Sequence, residues 1–116
     1  MKVVRTSDIE TQERTSDLFR GKVNGQSIIA EGEGELRVGV VNFSPGARNI
    51  FHTHTSDQVL YVTEGKGIVA TENEEVTVTP GTFIFIPTGE KHWHGATKED
   101  TFEHINIQKP GMRLAL

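Results

Sequence analysis

The stretch 52-HTHTSDQ-58 sets two histidines two residues apart and a glutamine four residues after the second. A second pair, His92 and His94, follows in 92-HWH-94, so four of the chain's five histidines fall in two such pairs. On a strand, alternate side chains share a face, so His52, His54 and Gln58 point one way. The same rule aligns His92 with His94 and turns Trp93 away. On a helix, residues two apart would lie roughly 200° apart. Phe51, Thr53, Val59, Leu60, Tyr61 and Val62 favour the strand. Two strands can therefore aim four imidazoles at one point inside a barrel. A single pair would pass for ordinary polar residues at a strand end. Two pairs, each just after a Pro/Gly turn, need a reason to converge, and a transition metal, for which imidazole is the commonest protein ligand, supplies one.

Outward from these pairs the sequence repeats one theme. Strand signals recur at about 26–31, 36–43, 48–54, 58–63, 66–72, 75–79, 82–86, 91–97 and 101–108. Turn signals separate them: 44-SPG-46, 64-EGKG-67, 72-ENEE-75, 80-PG-81, 87-PTG-89 and 98-KED-100. No segment carries a helical apolar stripe. Many short strands with regular turns predict an all-β closed antiparallel barrel or jelly roll. At 116 residues the chain makes one domain. Residues 1–17 are polar without a clear period and read as an N-terminal arm, with at most a helical turn near Ser16-Asp17, before a barrel over 18–116. The run 82-TFIFI-86 is apolar at nearly every position, which predicts a strand covered on both faces, by another sheet or another subunit. With the terminal GMRLAL also needing cover, a homodimer is expected.

Composition excludes several function classes. There is no cysteine, so disulfides, thiolate zinc sites and thiol nucleophiles are ruled out. Net charge is −4 and no Lys/Arg cluster forms a phosphate-binding face, which argues against a nucleic-acid partner. The first residues lack the apolar core of a signal peptide, and no run reaches the roughly 18 apolar residues that span a membrane. A soluble cytoplasmic protein acting on a small molecule is the expectation, with no membrane partner.

The spacing also resembles a known pattern. Gly46, five residues, His52-Thr-His54, three residues, Gln58, six residues and Gly65 is similar to the first motif of the cupin superfamily. Gly81, five residues, Pro87-Thr-Gly89, two residues and His92 is similar to its second. The resemblance implies a cupin (jelly-roll) barrel and one divalent metal held by His52, His54, Gln58 and His92. Two positions depart from the family pattern: Gln58 stands where Glu is usual, and Ala96 where Asn is usual. With Gln58 binding through its amide oxygen, all four donors are neutral and the ion keeps its full +2 charge, which strengthens it as a Lewis acid. Imidazole with amide oxygen suits Mn, Fe, Co, Ni or Zn.

A narrower resemblance is carried by HTH…Q…PTGEKHWHGAT…FEHINIQ. It is similar to the small manganese-dependent cupins that act as hydroxynitrile lyases, and to cupins associated with carboxymuconolactone decarboxylase. That likeness implies manganese, a general base at His104, and substrate contacts at His94 and Gln108. His104, Gln108, Phe102 and Asn106 share parity on the last long strand. The function implied is a metal-dependent lyase acting on a 2-hydroxynitrile or related hydroxy or carbonyl compound. A dioxygenase or isomerase of a small organic molecule and a non-catalytic binding or sensor cupin are the alternatives; a storage role fits least, with no duplication or secretion signal.

Overall fold

In the computed structural model, which describes residues 1–116, β-structure dominates the chain. A single 3-10 turn at Thr6–Asp8 precedes thirteen strands: β1 Gln12–Arg14, β2 Phe19–Arg20, β3 Val23–Ile29, β4 Arg37–Phe43, β5 Arg48–Asn49, β6 Thr53–His54, β7 Gln58–Gly65, β8 Gly67–Thr71, β9 Glu75–Val78, β10 Phe83–Ile86, β11 His92–Ala96, β12 Phe102–Gln108 and β13 Leu114–Ala115. They form a six-stranded sheet in the order β1-β3-β4-β12-β7-β10, a five-stranded sheet in the order β2-β5-β11-β8-β9, and a two-stranded ribbon of β13 and β6. All strand pairs are antiparallel. No helix is long and apolar enough to cross a membrane.

Alternation along the strands decides which residues fill the interior. Gln58, Leu60 and Val62 of β7 are buried, as are Phe102, His104 and Gln108 of β12. Cross-strand register joins them, with Gln108 opposite Gln58 and Asn106 opposite Leu60. A bulge between Glu103 and His104 shifts the pairing by one place and brings His104 opposite Val62. Val23, Phe43, Ala47, Val62, Val78, Ala96 and Phe102 make the apolar core, drawn from both sheets. Phe43 and Phe102 are fully buried, each worth about 1.5–3 kcal/mol in transfer from water. The Phe102 ring occupies the space that a Cβ on Gly67 would need, at 2.5 Å. The interior is thus divided: aromatic and aliphatic groups close one part, and histidine and amide side chains occupy the rest.

Within the chain the run 82-TFIFI-86 is covered on one face only, which leaves a second subunit as the expected cover for the other. β10 is an edge strand whose Ile84 and Ile86 turn inward, while Phe83 and Phe85 are 71% and 62% exposed. The predicted strand over 48–54 is in fact two short strands, β5 and β6, because the chain bends between them. The arm predicted over 1–17 contributes β1, which pairs with β3 at the edge of the larger sheet.

Candidate metal centre

His52 lies outside any named strand but forms a bridge with His92, the backbone N–H of each donating to the carbonyl of the other at 3.0 and 3.1 Å. This bridge fixes the bend that interrupts 48–54 and sets the two imidazoles side by side, ring centroids 4.3 Å apart. His54 sits on β6, where its carbonyl accepts from the Gly89 N–H at 3.0 Å, so the 87-PTG-89 turn ties down the strand. Its ring lies 4.8 Å from those of both His52 and His92. The ligand atoms of the three histidines all fall within 4.8 Å of one another, and all three residues are buried. These three histidines can hold a metal ion.

The donor chemistry of these side chains suits that role. His52 Nδ1 lies 2.7 Å from the Ile50 carbonyl, and His92 Nδ1 lies 2.7 Å from the Glu90 carbonyl. A carbonyl only accepts, so each Nδ1 carries the proton and each Nε2 keeps its lone pair. Buried His92 Nε2 has no hydrogen-bond partner, and neither has buried Gln58 Oε1. Orphaned buried acceptors cost roughly 1–3 kcal/mol each, and a cation between them would satisfy both. Burial pushes the imidazoles of His52 and His54 down to about 4, with repulsion among the histidines adding to it. His92 is lowered by the same desolvation. The three rings are neutral at pH 7, as metal ligation requires. The residues present fit a divalent transition metal.

Gln58 is oriented by an amide relay. Its Nε2 donates to Asn106 Oδ1 at 2.6 Å, and Asn106 Nδ2 donates to Gln108 Oε1 at 3.0 Å. With its nitrogen held this way, Gln58 keeps its buried Oε1 free as an acceptor, and its side chain lines the same cavity as His52 and His54. The reversed relay would present an N–H to a cation. Gln108 ends the relay with a buried Nε2 that has no partner.

His94 and His104 form a second linked group. Asn49 Oδ1 accepts from the His94 backbone N–H at 2.8 Å, which leaves Asn49 Nδ2 to donate to His94 Nε2 at 3.2 Å. The His94 proton is thereby assigned to Nδ1, 3.2 Å from His104 Nε2. His104 Nδ1 then faces the Ile105 carbonyl at 3.3 Å. Burial holds His104 at about 4 and His94 well below its usual value, with the neighbouring imidazoles adding to the effect on His94. Phe43 packs against both rings, centroids 5.9 and 5.7 Å away. Trp93 faces the other way, with the Arg48 guanidinium 3.5 Å over its ring.

A cavity of about 440 Å³ is lined by His52, His54, Gln58, His94, His104 and Gln108 among others. The structure therefore brings all seven sequence-predicted site residues into one region, six lining the cavity and His92 bridged to His52. Two further residues organise the site. Asn106 had been noticed only for its parity. Asn49 has the opposite parity to His52 in sequence and reaches the interior because the chain bends between them.

Comparison with known proteins identifies the family and the fold. The family model described as Cupin domain matches residues 39–107. The chain is 34% identical over 111 residues to the (R)-mandelonitrile lyase of Granulicella tundricola, covering 94% of this chain and 85% of that protein. It is 29% identical to the acireductone dioxygenase of Trichormus variabilis, over 67% of this chain and half of that protein's length. A solved structure of a cupin-like protein from Thermotoga maritima superposes with a TM-score of 0.83 at 31% identity, covering 90% of this chain and 83% of that one.

Proposed function

The chain belongs to the cupin family, and from that premise we propose that it is a metal-dependent lyase acting on a small 2-hydroxynitrile or a related hydroxy or carbonyl compound. The metal in this reading is manganese, held by His52, His54, His92 and Gln58. The observation that carries the proposal is the pairing of two elements around one cavity: neutral donors with orphaned acceptors, and the buried His94–His104 couple. The likeness to an (R)-mandelonitrile lyase along nearly the whole chain favours the reaction class. The bound ion would supply Lewis acidity toward a substrate oxygen, undiminished by any anionic ligand.

The chain's own residues would do the rest. Gln58 is held with its oxygen inward by Asn106. His104 Nε2 is a lone pair whose only partner in the chain is His94 Nδ1–H, so a substrate that displaces this contact meets a neutral base. At about 4, His104 is available at neutral pH but weak, so the proton it accepts must come from a group acidified where it binds. Gln108 Nε2 has donor capacity to spare for a substrate acceptor. Phe43 and Phe102 exclude water from the far side of the base.

His104→Ala tests the assignment. It should keep metal content and fold while lowering turnover of mandelonitrile about 10²-fold or more, the scale of a positioned acid–base group. Retained metal with unchanged turnover would refute the role. The second reading, a dioxygenase, is favoured by the acireductone dioxygenase relative; turnover under anaerobic conditions with several divalent ions would exclude it. The exposed Phe83 and Phe85 beside Tyr61, whose ring lies 4.4 Å from that of Phe83, further support a homodimer joined across the outer face of β10.

A further inference from the structure

We propose that Arg37 and Gln108 form a carboxylate-binding subsite in the wall of the metal cavity, so that the substrate is a small organic acid. This narrows the class given above to hydroxy and carbonyl compounds that carry a carboxylate, with mandelonitrile a neutral test compound for the reaction. It rests on that reading for the reaction, though not for the binding.

The subsite follows from register and from the direction of the amide relay. Arg37, Gln108 and Gln58 are consecutive cross-strand partners on β4, β12 and β7. Directly opposite residues share a face, with Cβ atoms about 4.5–5.5 Å apart, so Arg37 is the next side chain in the row after Gln108. Both line the cavity that holds His52 and His54. The relay is polar along its length. At one end Gln58 spends its nitrogen on Asn106 and leaves a buried Oε1 without a partner; at the other, Gln108 spends its oxygen on Asn106 and leaves Nε2 as a buried donor without a partner. An orphaned donor 4% exposed is costly unless an acceptor comes to it.

Charge points the same way. The chain's ion pairs are Lys2–Glu33 and Lys91–Glu72, so the half-buried Arg37 has no carboxylate partner of its own. The acidic side chain in the cavity wall is the exposed Glu13, set against Arg14 and Arg37. Arg14 lies across Gly25, where a Cβ would meet its Nε at 2.5 Å, so the glycine lets a second cation lie along the inner face. In a protein of net charge −4, this wall is locally cationic. A planar guanidinium beside an amide N–H matches the two oxygens of a carboxylate.

The test is binding of mandelate against mandelamide, its neutral isostere, to metal-stripped protein by isothermal titration calorimetry. Wild type should prefer mandelate by on the order of ten-fold or more, the lower end of a charge-assisted hydrogen bond. Arg37→Gln should abolish the preference, and Arg37→Lys, which keeps charge without the fork, should reduce it; circular dichroism confirms that each is folded. Equal binding of the two probes by wild type, or a preference untouched in both variants, would overturn the subsite. Inorganic phosphate displacing mandelate at equal concentration would overturn the assignment to a carboxylate. Because the measurement needs neither metal nor turnover, failure of the lyase reading leaves its outcome unaffected, and the reverse holds too.

Discussion

Replacing Asn106 with alanine breaks the amide relay at its centre. Gln58 Nε2 loses its 2.6 Å acceptor and Gln108 Oε1 loses its 3.0 Å donor. Both residues are buried, at 5% and 4% exposure, so each stranded group costs roughly 1–3 kcal/mol, less whatever a water entering the vacated space restores. The stability loss should fall at about 2–4 kcal/mol in urea unfolding of metal-stripped protein. A freed Gln58 no longer presents its oxygen by default, so metal affinity should drop about 10- to 100-fold, the range for groups that orient a ligand. Asn106→Asp is the informative partner. Its carboxylate still accepts from Gln58 Nε2, and Gln108 can reverse to donate, so metal affinity should be kept or improved. Competition with a fluorescent chelator reads both variants. Equal metal affinity in wild type and Asn106→Ala would show that Gln58 is not oriented for the ion, and the relay argument would fall.

Gln58→Glu should tighten metal binding through Coulombic attraction to the +2 ion, at the cost of Lewis acidity; equal or weaker competition against the chelator would contradict this. Stability of the metal-stripped protein should depend on acid in a defined window. His52, His54 and His104 are lowered to about 4 when folded, against 6.5 for the free side chain. The unfolded chain therefore binds more protons between these values, and stability is fully present above about pH 6.5 and lost as pH falls toward 4, by up to roughly 1.4 kcal/mol per unit for each histidine. A urea midpoint that is flat from pH 7 to 5 would refute it. The double variant Phe83→Lys, Phe85→Lys should convert the proposed dimer to a monomer in light scattering without lowering the melting temperature of the monomer; a wild-type monomer would dispose of the dimer.

The β-fold, and which histidines share a face, were legible because period-2 alternation survives local breaks. Between His52 and Gln58 the chain bends twice, yet burial still alternates through His54 and Ser56. The ligand set is implied by the resemblance of the two glycine-and-proline-framed motifs, and three of its members, His52, His54 and His92, lie together in the fold. Asn49 was hidden because the bend at Ile50 and Phe51 changes the phase, so it and His52 are both buried although their positions differ in parity. The apolar run of β10 signals cover without saying what supplies it: as an edge strand it is covered on one face within the chain, and Phe83 and Phe85 are exposed on the other. The His94–His104 contact joins two strands of different sheets, and pairwise spacing in one chain carries no signal for it.

The proposed binding of one divalent transition metal by His52, His54 and His92, with Gln58, can be read by elemental analysis of protein purified without added metal, wild type beside His92→Ala. His92 has an orphaned, buried Nε2 and a bridge to His52, so its loss should empty the site while the remaining strands keep the barrel folded. Wild-type protein should carry close to one transition-metal ion per chain, and folded His92→Ala almost none. Full occupancy in that variant, or wild-type protein that retains no metal and binds none on titration with manganese, would contradict it.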